Sequence, residues 1–137
     1  MNTIQWVESV VGKPWVDRAT GPDAYDCWGL VIDSFARLDE KPLQEVSGYA
    51  DGDPIESAGP SEQESGAWSE VDKAEHGAVF CVYNNEGSMI HVGRVLEIPR
   101  AGLYCLHSRG EGGQVKADMV RTIERAYNNV KYFKRAE

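Results

Sequence analysis

Two short stretches carry residues whose types and setting could do chemistry: Asp26-Cys27-Trp28-Gly29-Leu30, and further along, His91-Val92-Gly93. A thiol attacks as its thiolate, and the start of a helix supports that anion through partial positive charge and backbone N–H groups not yet used by the helix. An imidazole can take the thiol proton. From Cys27 to about Leu38, the apolar Leu30, Val31, Phe35 and Leu38 recur at helical spacing, with Asp33, Arg37 and Asp39 on the other side. Cys27 therefore stands at a helix N-terminus, and His91 begins a β-type run, so a helix thiol and a strand imidazole can meet in space. A cysteine taken at random is more often an inert core residue, and a strand histidine more often a hydrogen-bonded one. It is the company each keeps that favours a nucleophile, Cys27, with His91 as its base.

The elements that must position this pair read as helices first and strands later. Asn2 or Thr3 can cap a helix with Ile4, Val7, Val10 and Val11 on one face, ended by Gly12 and Pro14. Residues 39–69 are rich in Gly, Pro, Ser and acid, which reads as a long surface excursion with one short helix near Ser61 to Trp68; Tyr49 and Trp68 are its aromatic residues. Ala78 to Tyr83, Met89 to Ile98 and Leu103 to His107 are β-branched or aromatic runs separated by turn residues, an antiparallel meander. A short helix around Met119 to Tyr127 and a strand from Val130 to Phe133 complete an α+β order in one domain, residues 1–137.

Composition removes several function classes. The formal charge of −8 gives no cationic surface for tracking phosphates, so nucleic acid is not an expected partner. The acid is concentrated between Asp39 and Glu75, and Arg121 to Arg135 is locally basic. No apolar run approaches the roughly 20 residues that span a bilayer, and Met1 to Val11 lacks the basic start and cleavage site of a secretory signal. Synthesis in the cytoplasm, with any export inside a larger assembly, is the expectation. Three cysteines, Cys27, Cys81 and Cys105, cannot all pair, and their separation does not match a zinc knuckle. The reading calls for no metal and no cofactor.

Four segments taken in order resemble the NlpC/P60 cysteine peptidases, and more narrowly the branch encoded as phage tail proteins. They are Gly12-Lys13-Pro14-Trp15, then Asp26-Cys27-Trp28-Gly29-Leu30-Val31, then His91-Val92-Gly93, then Leu106-His107-Ser108. The correspondence runs from Trp6 to about Phe133. It implies a papain-like fold with the nucleophile at a helix N-terminus packed on an antiparallel sheet. It also implies cleavage of amide bonds in the peptide stems of bacterial peptidoglycan, with location in a virion and other tail proteins as partners.

Carried onto this sequence, the resemblance makes Cys27 the nucleophile, His91 the general base and His107 the third member that orients His91. It places Asp26 where relatives meet the free amine of a short peptide, although the position also suits a helix N-cap. Trp15 stands where many relatives carry Tyr; indole donates one N–H but accepts nothing, so any part in binding the oxyanion is half preserved. The family's usual Gly-Asp before its first strand is Gly77-Ala78 here, and Trp28 replaces a common Ser. The connection from His91 to His107 is lengthened by Pro99 to Gly102, which leaves His76 as a second candidate for the third position. Two other classes compete: a tail assembly protein with the fold but no turnover, and a zinc site formed by Cys27, His91 and His107.

Overall fold

The structure, a computed structural model, describes residues 1–41, 68–108, 110 and 112–135. Most of the acidic excursion, including Tyr49 and residues 61–67 of the expected short helix, lies outside the described residues. Helix α1 (Thr3–Val10) opens on a capping box, in which Asn2 Oδ1 accepts from the Gln5 N–H and Gln5 Oε1 accepts from the Asn2 N–H. A cap of this kind is worth about 1 kcal/mol. Its buried face differs from the expected one: Trp6 and Val10 are covered, and Ile4 and Val11 face outward. The indole of Trp6 decides the rotation, because its N–H donates to Asp33 Oδ2 at 2.7 Å on the next helix.

Helix α2 (Cys27–Ser34) continues through a π-helical turn, Phe35–Asp39, where Glu40 leaves in a left-handed conformation. Six strands follow: β1 (Trp68–Val71), β2 (Val79–Tyr83), β3 (Met89–Ile98), β4 (Gly102–Ser108), β5 (Val115–Met119) and β6 (Val130–Arg135). Helix α3 (Val120–Ala126) sits between β5 and β6. The strands form one antiparallel sheet in the order β1-β6-β2-β3-β4-β5. Trp68 thus opens a strand where a helix end was expected; its ring packs edge-on against Phe35 and under Arg135, so it is a core anchor. Strand β5 has no counterpart among the elements expected from the sequence, because Lys116 and Asp118 interrupt its apolar character.

The helices of the first half cover one face of the sheet. Leu30, Trp6 and Val10 pack on Leu96 and Leu106, and Trp28, Val31 and Phe35 pack on Val79, Val92 and Phe133. Each such aliphatic side chain contributes about 1.5–3 kcal/mol on burial. Helix α3 closes the opposite face, where Ile123 meets Phe80, Val95, Cys105 and Tyr132. Arg94, only 2% exposed, fastens the end of α2 to β3. Its guanidinium lies 3.6 Å over the Phe35 ring, donates to both Asp39 carboxylate oxygens at 3.0 and 3.2 Å, and reaches Ser34 Oγ and Gly77 O. A buried cation needs partners for its nitrogens, and here each of the three has one.

Candidate active site

The Asp-Cys-x-Gly sequence makes a helix start of defined shape. Asp26 is the N-cap of α2: Oδ1 accepts from the Gly29 N–H, and Oδ2 accepts from the Arg18 N–H at 2.7 Å. Cys27 is then the first helical residue. The chain before it folds back over the helix, with the Asp26 N–H donating to Ala19 O at 3.0 Å. A Cβ at Gly29 would collide with that same Ala19 carbonyl, so only glycine lets the loop lie so close. Asp26 is 2% exposed and serves the backbone through both oxygens, so the N-cap is its observed role.

The segment preceding Cys27 is tied to the far end of β4. Ser108 Oγ donates to Tyr25 O at 2.6 Å, which brings the residue next to His107 against the residue two before Cys27. The Tyr25 N–H in turn donates to Pro14 O, and the Trp15 N–H donates to Gly113 O at 3.0 Å. Trp15 is half-buried in this loop, beside the start of β5. Cys27 itself lies in an apolar cluster with Cys81, Met89 and Val92; on β3, Met89 stands two residues before His91 and Val92 one after it.

His91 sits at a β-bulge. It is opposite Val82, whereas Met89 is opposite Tyr83, so Ile90 is the extra residue, and such bulges re-aim the side chains next to them. The His91 ring is 6% exposed, and its Nε2 lies 2.8 Å from Nδ1 of His107, which is 1% exposed. Phe80 meets both imidazoles edge-on, at 5.9 and 5.8 Å between ring centres. That contact depends on Gly93 across the ladder, where a Cβ would strike the Phe80 ring and the Leu106 carbonyl. The glycine of His-Val-Gly therefore makes room for the ring that walls the two histidines.

The lengthened connection does not displace His107. The extra residues extend β3 and β4 as a hairpin still in register at Ile98 and Gly102, with its turn remote from the histidines. His76 is elsewhere: its Nδ1 accepts from the Glu97 N–H, and Glu97 lies roughly 20 Å along β3 from His91 at about 3.4 Å per residue. The sequence reading missed Asp118, whose Oδ2 lies 2.7 Å from His107 Nε2. It also missed Ser108 as a tie. Ser108 lies in the Leu106-His107-Ser108 segment but no motif marks Asp118, although pairing β4 with β5 places Asp118 two residues from Lys116, the cross-strand partner of His107.

Burial holds the other two thiols in the protonated form. Desolvation pushes Cys81 well above the ordinary value near 9, and Cys105 up to about 12, with the charges of Glu124 and Asp118 adding to the latter. Neither Cys81 nor Cys105 forms a disulfide. Among the described residues, no group of three or more His, Cys, Asp and Glu side chains is arranged to hold a metal ion.

No sequence-family model matches this chain, and no curated protein does. Among solved structures, it is similar to the crystal structure of the NlpC/p60 domain of the peptidoglycan hydrolase SagA, at 18% identity and a TM-score of 0.59. The match covers 93% of this chain and 92% of that one. Helices packed on an antiparallel sheet give this chain a fold like that of an NlpC/P60 domain.

Proposed function

We propose that residues 1–137 act as a single-domain cysteine peptidase that cleaves amide bonds in the peptide stems of peptidoglycan, as a component of a phage tail. The observation that carries this reading is the bonded His91–His107 pair at the end of the sheet to which Ser108 ties the segment leading into Cys27. Because Nε2 of His91 is engaged by His107, the atom of His91 that would face the thiol is Nδ1. Cys27 Sγ would give its proton to that nitrogen and attack the amide carbonyl. The tetrahedral oxyanion would take the Cys27 N–H as one donor, with Trp15 at the cleft edge. His91 would then protonate the leaving amine, and water would hydrolyse the thioester. In this reading Asp26 meets the substrate's amino group in addition to capping the helix.

The test is incubation of the protein, alone and in assembled tails, with purified peptidoglycan, followed by mass spectrometry of the released muropeptides. A new amine at one stem bond, absent with Cys27→Ala, is the expected result. Its absence in both forms would leave a structural tail component.

A further inference from the structure

We infer that Asp118 is a positioning residue that sets where the protons lie in the His91–His107 pair. The inference rests on the peptidase reading only for its effect on turnover. His107 is almost wholly buried, and both of its ring nitrogens are engaged: Nδ1 with His91 Nε2 at 2.8 Å, and Nε2 with Asp118 Oδ2 at 2.7 Å. An ionised carboxylate can only accept, so the proton of the second bond belongs to His107 Nε2. In a neutral ring that makes His107 Nδ1 a lone pair. The proton of the first bond must then sit on His91 Nε2, which leaves the lone pair of a neutral His91 on Nδ1.

Without the carboxylate, the two rings could share their hydrogen bond in either sense. In the reversed sense, His107 Nδ1–H donates to His91 Nε2, the His91 proton moves to Nδ1, and the ring presents a donor where a base is needed. Asp118 therefore decides, two hydrogen bonds away, which nitrogen of His91 is basic. When Nδ1 receives the thiol proton, Nε2–H stays in place, and the imidazolium is supported by His107 and, through it, by the carboxylate charge. Asp118 is 29% exposed, so its carboxylate is partly hydrated and reaches His107 from the rim of the sheet face. The other charged and titratable groups near the pair are Lys116, across the ladder from His107; Cys105, across from Asp118; Glu124 on α3, which accepts from the Tyr132 hydroxyl; and Tyr127, whose ring leans on His91.

The experiment is nitrogen-detected NMR of the histidine rings in the full chain at neutral pH, on the wild type and on Asp118→Asn, whose near-identical shape protects the fold. Both His91 and His107 are expected as Nε2–H tautomers in the wild type, with His107 a mixture of tautomers in Asp118→Asn. In parallel, kcat on a stem peptide should fall about 10- to 100-fold in Asp118→Asn, as for other residues that orient a functional imidazole. KM should change little, and Asp118→Glu should restore part of the loss. An Nδ1–H tautomer of His107 in the wild type, or rings and kcat unchanged in Asp118→Asn, would overturn the assignment. Should the wild-type rings show these tautomers while no stem bond is cut, the role of Asp118 stands and the peptidase reading falls.

Discussion

His91 Nε2 and His107 Nδ1 lie 2.8 Å apart on adjacent strands, so the orientation of one imidazole is set by the other. His107→Ala should therefore keep the fold and lower turnover by about 100-fold or more, since a general base held in the wrong tautomer loses most of its effect. His107→Asn and His107→Gln should be milder, because an amide oxygen still accepts the His91 N–H. His76→Ala should leave turnover unchanged. Steady-state kinetics on a stem peptide distinguish these variants, and a loss confined to His76→Ala would show that the third position had been misplaced.

Thiol labelling checks the nucleophile separately. Cys81 and Cys105 are fully buried, and desolvation keeps both protonated far above neutrality. At pH 7 and limiting iodoacetamide, Cys27 should be alkylated first, and peptide mapping should find little label on the other two. Labelling that favours Cys81 would remove the nucleophile from the mechanism.

The close passage of the chain over α2 makes a stability prediction. Gly29→Ala drives a methyl group into the Ala19 carbonyl, a backbone atom that cannot swing aside. Overpacking of this sort costs about 1–3 kcal/mol, and a backbone neighbour puts it at the upper end. Urea unfolding should show a lower midpoint with an unchanged slope. A wild-type midpoint would mean that the loop 12–26 is free to lift from the helix.

Alkali should unfold the protein sooner than its charge alone suggests. Burial raises the Cys81 and Cys105 thiols and the Tyr25, Tyr83 and Tyr132 phenols above their ordinary values near 9 and 10. Above about pH 9 the unfolded chain releases these protons and the native chain keeps them, so the native state binds more protons and stability falls as pH rises. The contribution is complete below pH 9 and is lost progressively toward pH 12 and beyond. Thermal melts from pH 7 to 11 should show a falling Tm, with a shallower fall in Cys105→Ala.

The parts of this fold legible in the sequence are those where local pattern and tertiary role agree. The Cys27 helix, the strand opened by His91 and the hairpin into His107 are regular in period, and Asp26 and Gly29 act locally. The rotation of α1 was misread because Ile4 and Val11 look like core residues, and the contact that turns the helix, Trp6 with Asp33, joins positions far apart in sequence. Strand β5 escaped notice because its residues alternate only weakly, and with it went Asp118, whose relation to His107 exists only once two strands are paired. The bulge at Ile90 leaves no mark on the hydrophobic pattern, since both neighbours of His91 are apolar.

The place of β6 in the sheet orders events in time. It lies between β1 and β2, so the interior of the sheet is filled by the strand made last among those described. Phe133, from that strand, belongs to the same cluster as Cys27 and Trp28. Until residues 130–135 have been synthesised, β2 lacks one neighbour, β1 lacks its pairing strand, and the floor beneath the helix that Cys27 opens is incomplete. Pairings this distant in sequence are slow to form. A ribosome carrying the growing chain therefore holds helices and a β2–β5 meander with an unfinished sheet, and the domain gains its structure only once residues 130–135 have been made.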